Sequence, residues 1–270
     1  MTIRISYEGI IHCREEFYSM KISVCGKGGS GKSTVVTFLA KQALRKNLDV
    51  LVVDADDSNA GLAGMLGFDS HPLPLMELVG GKAMIKKKMG GQSLLTQAQI
   101  RTGDFAPEFI RRNNGLALVG IGKILQTMEG CACPMGVLNR EFLKKLTLEP
   151  NQIALVDMEA GVEHFGRGID EAIDKVLVVV EPSFDSLQIA AKIRNMAFSM
   201  GKKVVAIVNK SPSEAISQKI EQQLARDGLT AIGVLPQDPS VFEACLTGHV
   251  PDQGEAFEAV NTVLDRLLAA

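Results

Sequence analysis

Along the chain, short apolar runs rich in β-branched residues alternate with longer stretches in which apolar positions recur at three- and four-residue spacing. The short runs are "KISVC" (21–25), "DVLVVD" (49–54), "GLALVGI" (115–121), "QIALVD" (152–157), "KVLVVVE" (175–181), "KVVAIVN" (203–209) and "AIGVLP" (231–236). Their length and near-continuous apolarity predict strands buried on both faces. The stretches "KSTVVTFLAKQALRK" (32–46), "SLQIAAKIRNMAFSM" (186–200), "AISQKIEQQLARD" (215–227) and "AFEAVNTVLDRLLA" (256–269) predict the helices that cover them. This alternation implies an α/β fold, a doubly wound and mostly parallel seven-stranded sheet with helices on both faces.

Two regions depart from the pattern. Residues 67–114 are less regular, carry the basic run "KAMIKKKMGG" (82–91), and are expected to form a surface excursion or lid. Residues 1–19, "MTIRISYEGIIHCREEFYS", have neither the apolar core nor the cleavage site of a secretion signal. They are either an overcalled start, with Met20 as the natural one, or a loose extension, and 20–270 is expected to be a single domain.

A chain of 270 residues that is 46% hydrophobic can bury a sizeable core. Its 29 Lys and Arg nearly cancel 31 Asp and Glu, which argues against nonspecific binding to nucleic acid or an anionic membrane. No apolar run reaches bilayer-spanning length, so a cytoplasmic location is expected. There, five cysteines favour metal binding or thiol chemistry over structural disulfides.

The segment "GKGGSGKST" (26–34) fits G-x-x-x-x-G-K-[ST] and lies where that pattern has meaning, between an apolar strand and a helix. Gly28, Gly29, Ser30 and Gly31 let the backbone wrap phosphate oxygens with its amides, and the helix N-terminus formed by Ser33 and Thr34 adds a favourable dipole. Lys32 is expected to reach the β- and γ-phosphates and Ser33 to hold Mg²⁺. With the additional Lys27, "KGGSGKS" resembles the deviant Walker A loop of the MinD/ParA, arsenite-pump and nitrogenase iron protein superfamily, P-loop NTPases of the SIMIBI class. The resemblance implies an ATPase in which Lys27 crosses a homodimer interface to the partner's phosphates, a cation delivered in trans.

Carboxylates end two of the strands. In "VVDADDSN", Asp54, Asp56 and Asp57 leave the edge of the sheet where doubly wound folds bind ligands. Asp56 matches the superfamily's switch-I aspartate, which orients the attacking water, and Asp57 is the second candidate. In "LVDMEAG", Asp157 matches the Walker B position and Gly161 the switch-II glycine whose amide senses the γ-phosphate. His164, a few residues on, is expected at the surface. Asn209 and Lys210 of "VNKSP" match the base-binding pair. A guanine site would need an aspartate at 212 to accept from the base, whereas Pro212 has no acceptor side chain, so adenine is favoured. "GVLPQDPSVFEA" (233–244) resembles the loop flanking adenine, with Pro236 and Asp238 nearest the ring.

Cys131 and Cys133 in "EGCACPMG" stand just before a helical segment. One C-x-C supplies two of the four soft ligands of a tetrahedral thiolate site, and a two-fold axis through a dimer would supply the other two. That pair, with "DMEAGVEHFGRG" (157–168) and "KGGSGKS", resembles the CooC family of ATPases that help insert nickel into carbon monoxide dehydrogenase, and its relative serving acetyl-CoA synthase, from Met20 to the C-terminus. The resemblance implies ATP and Mg²⁺ as cofactors, Ni²⁺ or Zn²⁺ at Cys131 and Cys133, a homodimer, and one of those nickel enzymes as client. A MinD/ParA-like regulatory or positioning ATPase that recruits a protein partner without metal is the alternative. In the nitrogenase iron protein a cluster-binding cysteine lies seven residues after the switch-II aspartate; His164 stands there in this chain.

Overall fold

The computed structural model describes residues 18–56, 61–88, 92–122, 133–166 and 168–269. In chain order the elements are β1 (Ser19–Gly26), α1 (Lys32–Arg45), β2 (Asp49–Ala55), α2 (Leu62–Leu66), α3 (Leu75–Leu78), α4 (Gly81–Lys88), β3 (Arg111–Asn113), β4 (Leu116–Gly120), α5 (Cys133–Lys145) and β5 (Gln152–Met158). They continue with α6 (Glu163–Gly166), β6 (Lys175–Val180), α7 (Phe184–Ser199), β7 (Lys203–Ser211), α8 (Glu214–Arg226), β8 (Thr230–Pro236), α9 (Pro239–Thr247) and α10 (Glu255–Ala269). The proposed extension at 1–19 lies outside the described residues up to 17, and Ser19 already belongs to β1.

Among the described residues one sheet runs in the order β3-β4-β2-β5-β1-β6-β7-β8. Neighbouring strands are parallel except β3, which is antiparallel to β4. Alternation along each strand sends side chains to two cores. Val50, Val52, Leu118, Ile153 and Leu155 meet α1 and α10 on one face, while Leu51, Val53, Val119, Ala154 and Val156 share the other core with residues of α5, α7 and α8. The central β1 lies between β5 and β6, with β2 and β4 beyond one and β7 and β8 beyond the other. Such a reversal opens a crevice at the C-terminal ends of the strands, and the glycine-rich loop after β1 stands in it.

The seven strands read from the sequence are all present, but among the described residues the sheet has eight. The additional β3 forms a hairpin with β4, in which Asn113 faces Leu116 in register across Asn114 (φ +46°) and Gly115 (φ +82°). Two consecutive positive φ angles at an Asn-Gly pair suit a tight hairpin turn. The region 67–114 is also more than a surface excursion. Leu75, Ile85, Leu94, Leu95 and Ile100 are buried in the same core as the sheet. Its anchor is Glu141 of α5, which accepts from the Leu94 and Leu95 amides at 2.9 and 3.0 Å. At the other end, α10 buries Phe257, Val260, Leu264 and Leu267. No described helix is long and apolar enough to cross a membrane.

Candidate functional site

The loop between β1 and α1 is held from outside by β7. Asn209, buried, donates from Nδ2 to the carbonyl of Ser30 at 2.8 Å, and Lys210 donates from Nζ to the carbonyl of Gly29 at 2.6 Å. Gly31 is the residue this arrangement demands: its φ is +93°, and a Cβ there would collide with Asn209 Nδ2. The base-binding pair expected from the sequence therefore supports the phosphate loop directly. Lys210 itself sits at φ +56°, a conformation that is uncommon for a side chain with a Cβ.

Behind the loop lie the carboxylates. Ser33 Oγ donates to Asp157 Oδ2 at 2.6 Å. Asp157 aligns in register with Asp54 across the β2–β5 pair, and Asp56 follows on the end of β2. Full burial pushes the Asp157 carboxyl up to about 7; the Ser33 hydrogen bond and Lys32 oppose this, and the charges of Asp54 and Asp56 add to it. Its Oδ1 is buried and accepts no hydrogen bond among the described residues. A buried carboxylate with a spare oxygen beside a hydroxyl fits a hard cation with oxygen ligands. Among the described residues no group of three or more His, Cys, Asp or Glu side chains is placed to hold a metal ion by itself. Mg²⁺ does not ask for one, since it commonly takes one or two protein oxygens and completes its shell with phosphate and water.

Lys27, within the loop, and Gly161, beside it, are engaged within the chain. Lys27 Nζ donates to Glu181 Oε1 at 2.8 Å, and the Gly161 amide donates to the carbonyl of Gly26 at 3.1 Å. Gly161 carries φ +93°.

On the opposite side of the loop, a cleft of about 850 Å³ is lined by Gly31, Thr34, Asn209, Lys210, Pro212, Pro236 and Asp238, with Phe242 and Cys245 of α9 on its far wall. The cleft joins the phosphate loop to the expected base-binding residues. Asp238 also caps α9. Its Oδ1 accepts from the Ser240 amide at 2.9 Å, and its Oδ2 accepts from the Ala256 amide at 3.0 Å. Partial burial works against ionisation there, yet the bonds from Ser240 and Ala256 outweigh it and hold the carboxyl below its usual range.

Residues 22–251 match the CobQ/CobB/MinD/ParA nucleotide binding domain family. The chain belongs to this family. Its members are nucleotide-binding ATPases, and the loop, the strand-end carboxylates and the cleft lie at the edge of the sheet where doubly wound folds bind ligands. An uncharacterized ATP-binding protein of Methanocaldococcus jannaschii is 39% identical over 235 residues, covering 85% of this chain and 93% of that one. The carbon monoxide dehydrogenase accessory protein CooC of Rhodospirillum rubrum is 33% identical over 234 residues, covering 85% and 88%. Among solved structures, the septum site-determining protein MinD of Pyrococcus horikoshii, complexed with Mg-ADP, superposes with a TM-score of 0.69 at 18% identity over 92% of this chain and 95% of that one. This last likeness is one of fold.

Not every expected site residue of this family member falls within the described structure. Asp57 and Cys131 lie outside the described residues, and Cys133 is the first residue of α5. His164, expected at the surface, is buried with its ring centroid 4.4 Å from that of Phe165. Glu181 was not singled out from the sequence, although a carboxylate closes the apolar run of β6 just as Asp54 and Asp157 close theirs.

Proposed function

We propose that this chain is a Mg²⁺-dependent ATPase that dimerises on binding ATP and assists nickel insertion into carbon monoxide dehydrogenase or acetyl-CoA synthase, residues 20–270 acting as one ATPase domain. The observation that carries this reading over the family's other tasks is the C-x-C at Cys131 and Cys133, in a chain 33% identical to CooC.

The residues divide the work as follows. The amides of Gly28 to Thr34 bind the phosphates, and Lys32, buried in the crevice, offsets their charge. Ser33 and Asp157 hold Mg²⁺, which when bound neutralises phosphate charge. Asp56 orients the attacking water, Lys27 reaches the phosphates of the second subunit, and the Gly161 amide exchanges the Gly26 carbonyl for the γ-phosphate. Asn209, Lys210 and Pro236 receive adenine in the cleft, whose wall Asp238 fixes by capping α9.

ATP can drive assembly only by binding the dimer more tightly than the monomer. Dimerisation would bring two C-x-C pairs to one axis, where Cys131 and Cys133 of both subunits would hold Ni²⁺ or Zn²⁺. Equilibrium dialysis tests this: one equivalent of metal per dimer is expected, and its loss in the double variant Cys131→Ala/Cys133→Ala. Equal binding by wild type and variant would overturn the metal reading and leave an ATPase that recruits a partner without metal.

A further inference from the structure

Glu181 stands directly after β6, where the central strands end, and its position is fixed by the turn that opens α7. Its amide donates to Ser186 Oγ at 3.1 Å, and its carbonyl accepts from the Ser183 amide at 2.7 Å. Ser186 is buried. From this fixed backbone the carboxylate reaches two lysines. Oε1 accepts from Lys27 Nζ at 2.8 Å, and Oε2 lies 3.7 Å from Lys210 Nζ, the same ammonium that holds the Gly29 carbonyl. One carboxylate thus ties the phosphate loop to the base side of the crevice.

A lysine that serves a second subunit cannot do so while its charge is committed to a carboxylate of its own chain. We propose that Glu181 is a positioning residue that parks Lys27 on its own subunit and yields it only when a second copy presents nucleotide phosphates. The proposal rests on the reading above in which Lys27 acts in trans.

The strength of the contact suits a latch that opens. The Lys27 side chain is 30% exposed and that of Glu181 is 18% exposed, and ion pairs so close to water are weak. A triphosphate carries several negative charges, and in a closed interface from which water is excluded it outcompetes one part-solvated carboxylate. Before the interface closes, the nucleotide on the same loop is open to water, which screens its pull on the ammonium, and Lys27 stays parked. The latch therefore restrains hydrolysis at low protein concentration and adds nothing once the dimer has formed. Glu181 and Lys27 bias each other in the direction of an ion pair, the Lys27 hydrogen bond holding the carboxyl below its usual range.

The test is steady-state ATPase rate per chain against protein concentration for wild type, E181Q, E181D, K27A and K27A/E181Q. E181Q keeps the shape and removes the charge. It is expected to lower the concentration giving half-maximal rate by about threefold to tenfold, with the plateau unchanged. E181D retains the charge on a shorter stem and is expected to fall between wild type and E181Q, which also covers a folding defect peculiar to E181Q. In the K27A background E181Q is expected to change neither rate nor the dimerisation driven by a non-hydrolysable ATP analogue. A reduced plateau in E181Q, an unchanged midpoint, or an effect of E181Q on dimerisation that persists without Lys27 would overturn the latch. A wild-type rate per chain independent of concentration, or full turnover in K27A, would instead overturn the reading of Lys27 in trans, and the latch with it.

Discussion

The hydroxyl of Ser33 donates to Oδ2 of Asp157 at 2.6 Å, joining the first turn of α1 to the C-terminal end of β5. The contact brings together residues from the two motifs most readable in the sequence, the phosphate loop and the strand-end aspartate. It leaves Asp157 Oδ1 buried and without a hydrogen bond among the described residues. Ser33→Ala should keep weak, metal-independent nucleotide binding while losing about tenfold or more of the affinity that Mg²⁺ adds. Calorimetric titration of ATP with Mg²⁺ and with a chelator separates the two; an undiminished Mg²⁺ effect in the variant would remove Ser33 from the site.

Lys27→Ala is expected to bind ATP as wild type does and to lose hydrolysis by about a hundredfold or more, the scale of a cation supplied in trans to phosphoryl transfer. Nucleotide affinity and turnover, measured on the same preparation, check this. Parallel losses in both would make Lys27 an ordinary ligand of its own loop.

The cleft lined by Asn209, Lys210, Pro212 and Pro236 is expected to prefer adenine. Competition between ATP and GTP should favour ATP, and Pro212→Asp, which introduces an acceptor for the guanine edge, should narrow the gap. Asn209→Ala should cost about 1–2 kcal/mol of stability even without nucleotide, because it strips the Ser30 carbonyl of its partner.

Glu141 gives the fold a pH dependence of its own. Burial would raise its pKa, but the bonds from Ser93, the Leu94 and Leu95 amides and Lys145 prevail and bring it down from 4.5 to about 2. A carboxylate lowered in the folded state adds stability above its unfolded pKa and loses it as pH falls through the folded one. The contribution is therefore present above about pH 4.5 and declines toward pH 2. Glu141→Gln should lose about 1–2 kcal/mol at neutral pH and flatten the acid limb of the stability curve. Urea melts between pH 2 and 7 provide the comparison.

The legible parts of this molecule are those whose physics is local. Buried parallel strands read as apolar runs, and the phosphate loop reads as glycines in a fixed frame between a strand and a helix. β3 was hidden because Arg111–Asn113 is polar and three residues long, leaving Asn114-Gly115 as its signal. α9 stands where the sequence reading expected a loop; its signal was Asp-Pro-Ser at 238–240, an N-cap with proline in the first turn. The buried face of 67–114 could not be read by periodicity. Its helices α3 and α4 are four and eight residues long, too short to establish a period. Glu181 was illegible for a different reason: it lies 154 residues from Lys27, and a pairing of that separation belongs to the fold and not to any local pattern.

In the proposed function ATP, and not ADP, brings two of these chains together. Light scattering on the size-fractionated protein tests it in one experiment, with Mg²⁺ and either ADP or a non-hydrolysable ATP analogue. The mass of one chain with ADP and of two chains with the analogue is the predicted result. The same mass in both nucleotide states would rule out dimerisation driven by ATP.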